Sequence, residues 1–228
     1  MAPADGPLRE RGVARGRGGP TRLRQVAPLG RPLTMDLQAR VLAAALDALG
    51  VTRASLVGCS MGGYALMAFA RAYPGRMSKA VLMCTKAAAD TDEARARREA
   101  QAQTALTQGP LAVTSQLLPN LVAPGVPQHE PALFARITAL AAGATAQGIA
   151  DALLGMAARP DSRPGMALGP SPALVIEGEL DQAMPVSELR AMAEAIPGGK
   201  LRVIGGAGHY AMLERENEVA AEVVGFLE

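Results

Sequence analysis

Ser60 lies at the centre of the pattern Gly58-x-Ser60-x-Gly62, which places a small residue two positions to either side of a hydroxyl group. An apolar run of strand type, 54–57, precedes this pattern, and helix-forming residues follow it from Tyr64. A strand, a tight turn and a helix in this order can hold a serine in a strained conformation, because the glycines let the two elements approach closely. The pattern therefore predicts a nucleophilic serine. A glycine-rich turn with an incidental serine is the alternative.

The backbone N–H of Met61 is a second group in this stretch that could do chemistry. It would lie at the start of the helix that follows Ser60, where N–H groups have no intrahelical acceptor and carry the positive end of the helix dipole. A donor in that place can stabilise the oxyanion that forms when a serine attacks a carbonyl carbon. We therefore expect Met61 to supply one donor of an oxyanion hole.

Strand-like and helix-like segments alternate on both sides of this turn. Apolar runs of strand type lie at 54–57, 79–85, 172–177 and 200–204. Helical patterns lie at 35–49, 61–73, 186–195 and 214–227. The first helix has Thr34 as a candidate N-cap and Gly50 as a terminating glycine. Strands that alternate with helices predict an α/β fold with a mostly parallel sheet and flanking helices.

The segment from about 87 to 168 has no strand signal. Helical patterns occupy it at 90–107, 110–118, 131–141 and 145–158, separated by breaks that contain Pro or Gly. A helical insertion between two strands of a parallel sheet is typical of a cap domain, and we expect the charges of its first helix to face solvent. His129 lies in one of the breaks, where we expect an exposed loop histidine rather than a catalytic one.

Residues 1–34 differ in composition from the folded domain expected over 35–228. They hold seven arginines against two acidic residues and have no apolar periodicity, so we expect a disordered basic arm. The arm is short and lacks interleaved aromatic residues, and we therefore expect no nucleic-acid partner. The arm lacks the apolar core of a signal peptide, and no apolar run in the chain is long enough for a membrane span, which favours a cytoplasmic protein.

Cysteine and histidine are scarce in this chain. The two cysteines, Cys59 and Cys84, each lie in an apolar strand-like run, and the two histidines are His129 and His209. Neither their number nor their spacing indicates a disulfide framework or a metal site. We expect two buried free thiols, no metal and no cofactor.

Three motifs together resemble the α/β-hydrolase superfamily, in the capped branch that contains small esterases, lipases and lactonases. They are the Ser60 pattern, similar to the family's nucleophile elbow; Gly178-x-x-Asp181 with Pro185, similar to the loop of the acid; and Gly206-Ala207-Gly208-His209, similar to the histidine loop. The motifs occur in the family's chain order of nucleophile, acid and histidine, and the likeness covers roughly residues 34–228.

The resemblance implies a catalytic triad of Ser60, Asp181 and His209. The histidine would take the serine proton and return one to the leaving group, while the aspartate would fix the imidazole tautomer. Water would then clear an acyl-enzyme. Asp181 could instead be an acid at the start of the next helix, and His209 could be a hydrogen-bonded loop residue. Weaker candidates for the acid are Glu177, Glu179 and Asp90.

The sequence departs from the family ahead of Ser60. Family members have three or four strands before the elbow and a His-Gly signature that supplies the second oxyanion donor. No His-Gly pair precedes Ser60, and residues 1–34 cannot hold those strands. The first strand would then present an unpaired edge. We expect that the gene starts upstream, that the protein covers this edge by forming a homo-oligomer, or that it is unstable.

The resemblance implies a serine hydrolase of carboxylic esters, lactones included, with a small-molecule ester as its substrate. A serine rather than an aspartate at the elbow, and a cap without tyrosine, argue against dehalogenase and epoxide-hydrolase chemistry. The alternative is a catalytically impaired relative that acts as a binding or interaction protein. A fluorophosphonate probe distinguishes the two, because it labels Ser60 only where a working base activates the hydroxyl.

Overall fold

A computed structural model of the chain describes residues 31–168 and 172–228. Within these ranges one sheet contains four parallel strands in the order β1-β2-β3-β4, namely β1 (Ala54–Cys59), β2 (Met77–Met83), β3 (Ala173–Gly178) and β4 (Lys200–Ile204). The predicted α/β class with a parallel sheet is confirmed. The basic arm predicted over 1–34 falls almost entirely outside the described residues.

Helices flank the sheet and fill the connection from β2 to β3. In chain order they are α1 (Met35–Ala48), α2 (Met61–Ala72), α3 (Asp92–Gln108), α4 (Pro110–Leu117), α5 (Val126–His129), α6 (Pro131–Ala141), α7 (Ala146–Ala157), α8 (Val186–Ala195), α9 (Ala211–Glu214) and α10 (Glu216–Leu227), with 3-10 turns at Leu118–Asn120 and Arg163–Leu168. The predicted helices agree with these bounds to within about two residues, the usual uncertainty of helix ends. The one-turn helices α5 and α9 and the 3-10 turns were not predicted.

Local signals set the two ends of α1. The Oγ1 atom of Thr34 accepts a hydrogen bond from the N–H of Leu37 at 3.2 Å, as an N-cap side chain does. Gly50 follows the helix with a φ of 67°, the left-handed conformation that glycine adopts at the least cost. The predicted N-cap and the predicted terminating glycine are both confirmed.

Apolar layers cover both faces of the sheet. On one face Phe69 of α2 and Leu189 of α8 pack with Val175 of β3. On the other face Ile176 of β3 packs with Val219 of α10. All six residues of β3 are buried, as expected for a central parallel strand with helices on either side. This strand therefore holds the loop that follows it in a fixed position.

The helices between β2 and β3 form a small core of their own. Ala102 and Ala105 of α3 lie against Ala150 and Leu153 of α7. In the described part of the chain no single helix is long and apolar enough to cross a membrane, and α6 with α7 would meet that test only as a pair bent by 92°. The interpretation of the segment at about 87–168 as a cap domain stays a prediction.

β1 lies at one edge of the sheet. Among the described residues it pairs with β2 alone, and its residue Val57 is 46% exposed. An exposed edge strand can pair with another chain. Self-association through this edge therefore stays a prediction.

Candidate active site

Ser60 occupies the junction of β1 and α2 in a conformation that is rare for any residue except glycine. Its backbone angles are φ 50° and ψ −114°. Its N–H donates to the carbonyl oxygen of Met83 at 2.8 Å, and its carbonyl oxygen accepts from the Oγ1 atom of Thr85 at 2.9 Å. The end of β2 therefore holds this residue from both sides, which is how a strained backbone persists in a folded protein.

The glycines around Ser60 differ in what they allow. A Cβ atom at Gly58 would lie 2.7 Å from the backbone carbon of Gly62, and one at Gly63 would lie 2.5 Å from the side chain of Thr85. A Cβ atom at Gly62 would meet nothing within 4 Å. The prediction that Gly58 permits a close approach is confirmed. The same prediction for Gly62 is wrong, because the helix approaches β2 through Gly63 instead.

Asp181 and His209 form a buried pair in the loops that follow β3 and β4. The Nδ1 atom of His209 lies 2.7 Å from the Oδ2 atom of Asp181, and the two side chains are 4% and 0% exposed. The Oδ1 atom of Asp181 accepts from the N–H groups of Ala183 at 2.7 Å and Met184 at 3.2 Å. Since α8 begins only at Val186, Asp181 is not its N-cap. The carboxyl group organises its own loop and orients the imidazole.

The Asp181 carboxyl is held in its ionised form. Burial alone would raise its pKa, but the hydrogen bond from His209, the attraction of His209 and the interaction with the Glu177 side chain bring the pKa below its ordinary value. A carboxylate beside Nδ1 makes that nitrogen the donor of a neutral imidazole ring. The Nε2 atom is then the one that can accept a proton.

The other acids considered from the sequence lie in different surroundings. Glu179 is exposed and accepts a hydrogen bond from the backbone of the loop after β4. Asp90 is buried and forms ion pairs with Arg159 at 2.8 Å and Arg98 at 2.6 Å. Glu177 is completely buried on β3. In the described part of the chain, only Asp181 is hydrogen-bonded to the imidazole of the histidine loop.

Glu214 ties the histidine loop to the connection between β2 and β3. Its Oε2 atom accepts from the N–H of Gly208 at 3.1 Å and from the N–H of Ala123 at 2.8 Å. A Cβ atom at Gly208 would lie 2.4 Å from the backbone nitrogen of Ala123, so the two segments are in direct contact. A role for Glu214 was not predicted from the sequence. No pattern separates it from the exposed glutamates that follow it.

Both cysteines lie close to the candidate site. The Sγ atom of Cys84, a carboxylate oxygen of Asp181 and a ring nitrogen of His209 lie within 4.8 Å of one another. A hydrogen bond with Cys59 and burial raise the pKa of the Cys84 thiol, and a neutral thiol is a poor metal ligand. Cys59 is the last residue of β1 and directly precedes Ser60. Because the strands are parallel, Ser60 lies at the same end of the sheet as the loops that carry Asp181 and His209. Both thiols are free, and Cys59 is half-buried rather than buried.

Met61 and His129 lie in different parts of the fold. Met61 is the first residue of α2, where a backbone N–H has no intrahelical acceptor, so it remains the predicted oxyanion donor. His129 is exposed, as predicted. It lies at the end of α5 rather than in an irregular break.

An apolar cavity of about 380 Å³ lies away from these residues. It is bounded by α2, β2 and the segment 161–166, with Leu66, Met77 and Met166 in its walls. Ser60, His209 and the acid that contacts the imidazole do not line it. The candidate site is therefore identified by the chemistry of the buried histidine–aspartate pair beside the elbow. The size of a cavity does not identify it.

Sequence comparisons relate this arrangement to known proteins. The sequence model of a family described as "alpha/beta hydrolase fold" matches residues 11–216. The 2-hydroxy-6-oxononadienedioate/2-hydroxy-6-oxononatrienedioate hydrolase of Burkholderia vietnamiensis is 62% identical over 48 residues, and the protein of the same name in Paraburkholderia phymatum is 60% identical over 48 residues. Each match spans 21% of this chain and 17% of the relative, so most of each relative's length is not matched.

Solved structures match over most of the chain. A thermophilic esterase from Thermogutta terrifontis, solved with malate bound, is 34% identical with a TM-score of 0.83, covering 86% of this chain and 72% of the esterase. The enol-lactonase from Burkholderia xenovorans LB400 is 29% identical with a TM-score of 0.77, covering 86% of this chain and 74% of the lactonase. The sheet and its flanking helices thus have extensive counterparts in known structures.

Proposed function

Since this chain belongs to the alpha/beta hydrolase fold family, we propose that it is a serine hydrolase of carboxylic esters, lactones included. The observation that carries the proposal is the strained backbone of Ser60, with φ 50° and ψ −114°. A residue other than glycine keeps such a conformation only where its surroundings impose it, and strain of this kind clusters at functional sites. The buried pair of His209 and Asp181 supplies the base that a nucleophilic serine requires.

In the proposed reaction the Nε2 atom of His209 takes the proton of Ser60 while the serine oxygen attacks the ester carbonyl carbon. Asp181 accepts the hydrogen bond of Nδ1–H and stabilises the imidazolium. The N–H of Met61 donates to the oxyanion. The imidazolium then protonates the departing alcohol, and water activated by the same ring hydrolyses the acyl-enzyme and restores the serine.

The test combines labelling with a fluorophosphonate probe and hydrolysis of a nitrophenyl ester. Wild type should be labelled on Ser60 and should turn over the ester. Ser60→Ala and His209→Ala should lose both properties while they keep the circular dichroism spectrum of wild type. The matched controls are Ser187→Ala and His129→Ala, which change exposed residues of the same types and should behave as wild type.

The opposite results are equally definite. Turnover that survives in purified Ser60→Ala would reject the serine as nucleophile. A folded wild type that is neither labelled nor active would favour the impaired relative that acts as a binding protein. Equal losses in His129→Ala and His209→Ala would reject the assignment of the base.

A second candidate reaction follows from the 62% identity over 48 residues to the Burkholderia vietnamiensis hydrolase. If this chain acted on an oxo-dienedioate of the kind in that protein's name, water would have to cleave a carbon–carbon bond beside the ketone, since such a compound contains no ester. The same protein preparation should be assayed with two substrates, a nitrophenyl ester and the oxo-dienedioate. Hydrolysis of the oxo-dienedioate is measured as the loss of that compound's absorbance. The larger kcat/KM identifies the reaction.

A further inference from the structure

Glu177 is a buried carboxyl group that the proposed reaction does not use. It lies on the central strand β3, immediately before Gly178, and is 0% exposed. As a carboxylate, neither of its oxygens has a hydrogen-bond donor among the described residues. A buried charge without a partner is strongly unfavourable, so the ionised form does not suit this place.

The neutral acid suits it, because a protonated carboxyl group has an O–H to donate. The turn after β3 folds Asp181 back onto Gly178, the residue next to Glu177, since the N–H of Asp181 donates to the carbonyl oxygen of Gly178 at 3.1 Å. The two side chains interact, which raises the pKa of Glu177 and lowers that of Asp181. The carboxylate of Asp181 already accepts from Ala183, Met184 and His209. Since a carboxylate offers about four lone-pair positions, it can accept one bond more.

The groups around Glu177 favour its neutral form. Burial raises the pKa of Glu177 to about 11, and the neighbouring Cys84 and Asp181 act in the same direction. Cys84 follows the end of β2, and Asp181 lies in the loop after β3. Cys84 is itself a neutral thiol, because hydrogen bonding to Cys59 and burial raise its pKa. His209 contacts the Oδ2 atom of Asp181 at 2.7 Å.

We propose that the Glu177 carboxyl donates a hydrogen bond to the Asp181 carboxylate and thereby holds Asp181 in the orientation that His209 requires. Glu177 is then a positioning residue, since it acts on the reaction through Asp181 alone. Its effect on turnover rests on the proposed function, whereas the hydrogen bond itself can be tested without any substrate.

Two substitutions separate the hydrogen bond from the packing. Glu177→Gln keeps a donor of similar shape, and Glu177→Met keeps the length without a donor. Glu177→Gln should retain kcat within about threefold, whereas Glu177→Met should lose about tenfold to a hundredfold in kcat with little change in KM. Glu194→Gln, at an exposed position on α8, is the matched control and should equal wild type. Wild-type kcat in Glu177→Met would overturn the proposal.

The dependence of kcat/KM on pH shows whether Glu177 carries a charge. The informative part is the acid limb, the fall of kcat/KM at low pH. If Glu177 is neutral, Glu177→Gln removes no charge and leaves the limb where it is in wild type. An ionised Glu177 would stabilise protonated His209, and its replacement would move the limb to lower pH. Such a shift in both Glu177 variants would overturn the proposal.

Unfolding in urea tests the neutral carboxyl independently of catalysis. A group whose pKa is raised by folding stabilises the fold fully only below its unfolded value, about 4.3 for glutamate, and that contribution is lost as pH rises toward the folded value. For Glu177 the folded value is about 11. We therefore compare the urea concentration at the unfolding midpoint of Glu177→Gln with that of wild type at each pH. The midpoint of the variant minus that of wild type should be larger at about pH 9 than at about pH 6.

The outcomes of these experiments are distinct. A difference in urea midpoint that stays constant with pH would overturn the neutral carboxyl, whatever the ester assays give. An increasing difference in a protein without ester turnover would reject the proposed function and support the bond between the two carboxyl groups.

Discussion

The Nδ1 atom of His209 lies 2.7 Å from the Oδ2 atom of Asp181, although the two residues belong to different loops. β3 and β4 pair in parallel up to Gly178 and Ile204, so the loops that follow them begin side by side. In open α/β sheets functional groups gather at these carboxyl ends. The meeting of the two side chains is therefore a consequence of strand order.

Replacing Asp181 tests this contact directly. Asp181→Asn should lower kcat by orders of magnitude, about ten-thousand-fold in the best-studied serine triad, because an amide favours the wrong imidazole tautomer. Turnover of a nitrophenyl ester measures the loss. Asp92→Asn, on the exposed face of α3, should retain full activity. Activity that survives in Asp181→Asn but disappears in Asp90→Asn would place the acid at the end of β2.

The glycines of the elbow should differ in their tolerance of a methyl group. Gly58→Ala would place a Cβ atom 2.7 Å from the Gly62 backbone, and we expect its melting temperature to fall by more than about 5 °C. Gly62→Ala has open space, and alanine is the better helix former by about 1 kcal/mol, so its melting temperature should equal or exceed that of wild type. Thermal unfolding of the two variants measures both effects. The reverse order would show that Gly62 is the tightly packed position.

A second pair of glycines tests the link between the histidine loop and the connection from β2 to β3. Gly208→Ala would place a Cβ atom 2.4 Å from the backbone of Ala123, which must displace one of the two segments. We expect kcat to fall by at least about a hundredfold, the effect of a misplaced catalytic group. Gly205→Ala is the control, since its Cβ atom would meet its nearest neighbour only at 4.0 Å. Equal kcat values in the two variants would contradict the close contact seen at Gly208.

The ion pair of Asp90 and Arg159 should contribute to stability rather than to catalysis. The side chains are 1% and 4% exposed, and removing one partner leaves a buried charge, which typically costs about 3–5 kcal/mol. Asp90→Asn should therefore lower the free energy of unfolding in urea at about pH 7 by an amount of this order. Asp92→Asn changes a fully exposed carboxyl group and should stay within about 0.5 kcal/mol of wild type.

The pH dependence of this pair has a definite sign. Burial would raise the pKa of Asp90, but hydrogen bonds from Arg159 and Arg98 outweigh it, so the pKa lies below its ordinary value. The stabilisation is present above the unfolded value of about 3.9 and is lost as pH falls through the folded value. The difference between wild type and Asp90→Asn should therefore shrink below about pH 4. A difference that grows in acid would contradict the pairing.

Periodicity and turn signals predicted most of the fold. The ends of α1 follow from Thr34 and Gly50, whose properties act within a few residues of chain. The one-turn helices α5 and α9 are too short to show a helical period, so no pattern could reveal them. Motif spacing also could not tell that Gly63, and not Gly62, packs tightly against Thr85.

The parts of the site that could not be predicted depend on distant segments. Glu214 acts on Ala123, 91 residues away in the chain, and the sequence alone gives no sign of that contact. The protonation of Glu177 depends on burial on both faces of β3 and on the approach of Asp181. Such effects arise only when the tertiary structure is complete, whereas the candidate nucleophile and histidine are recognisable from their own neighbours in sequence.

The long connection from β2 to β3 also divides the assembly of the protein into stages. β1 with β2, and β3 with β4, are each joined through a single sheet-flanking helix, but the pairing of β2 with β3 must close a loop that contains α3 to α7. Closing longer loops costs more entropy, and long-range pairing is slow. Ser60 belongs to the first pair of strands, and Asp181 and His209 follow the second. If the chain hydrolyses esters as proposed, we expect that activity to reappear during refolding only when the two halves dock. Its recovery would then measure the docking step separately from the collapse of either half.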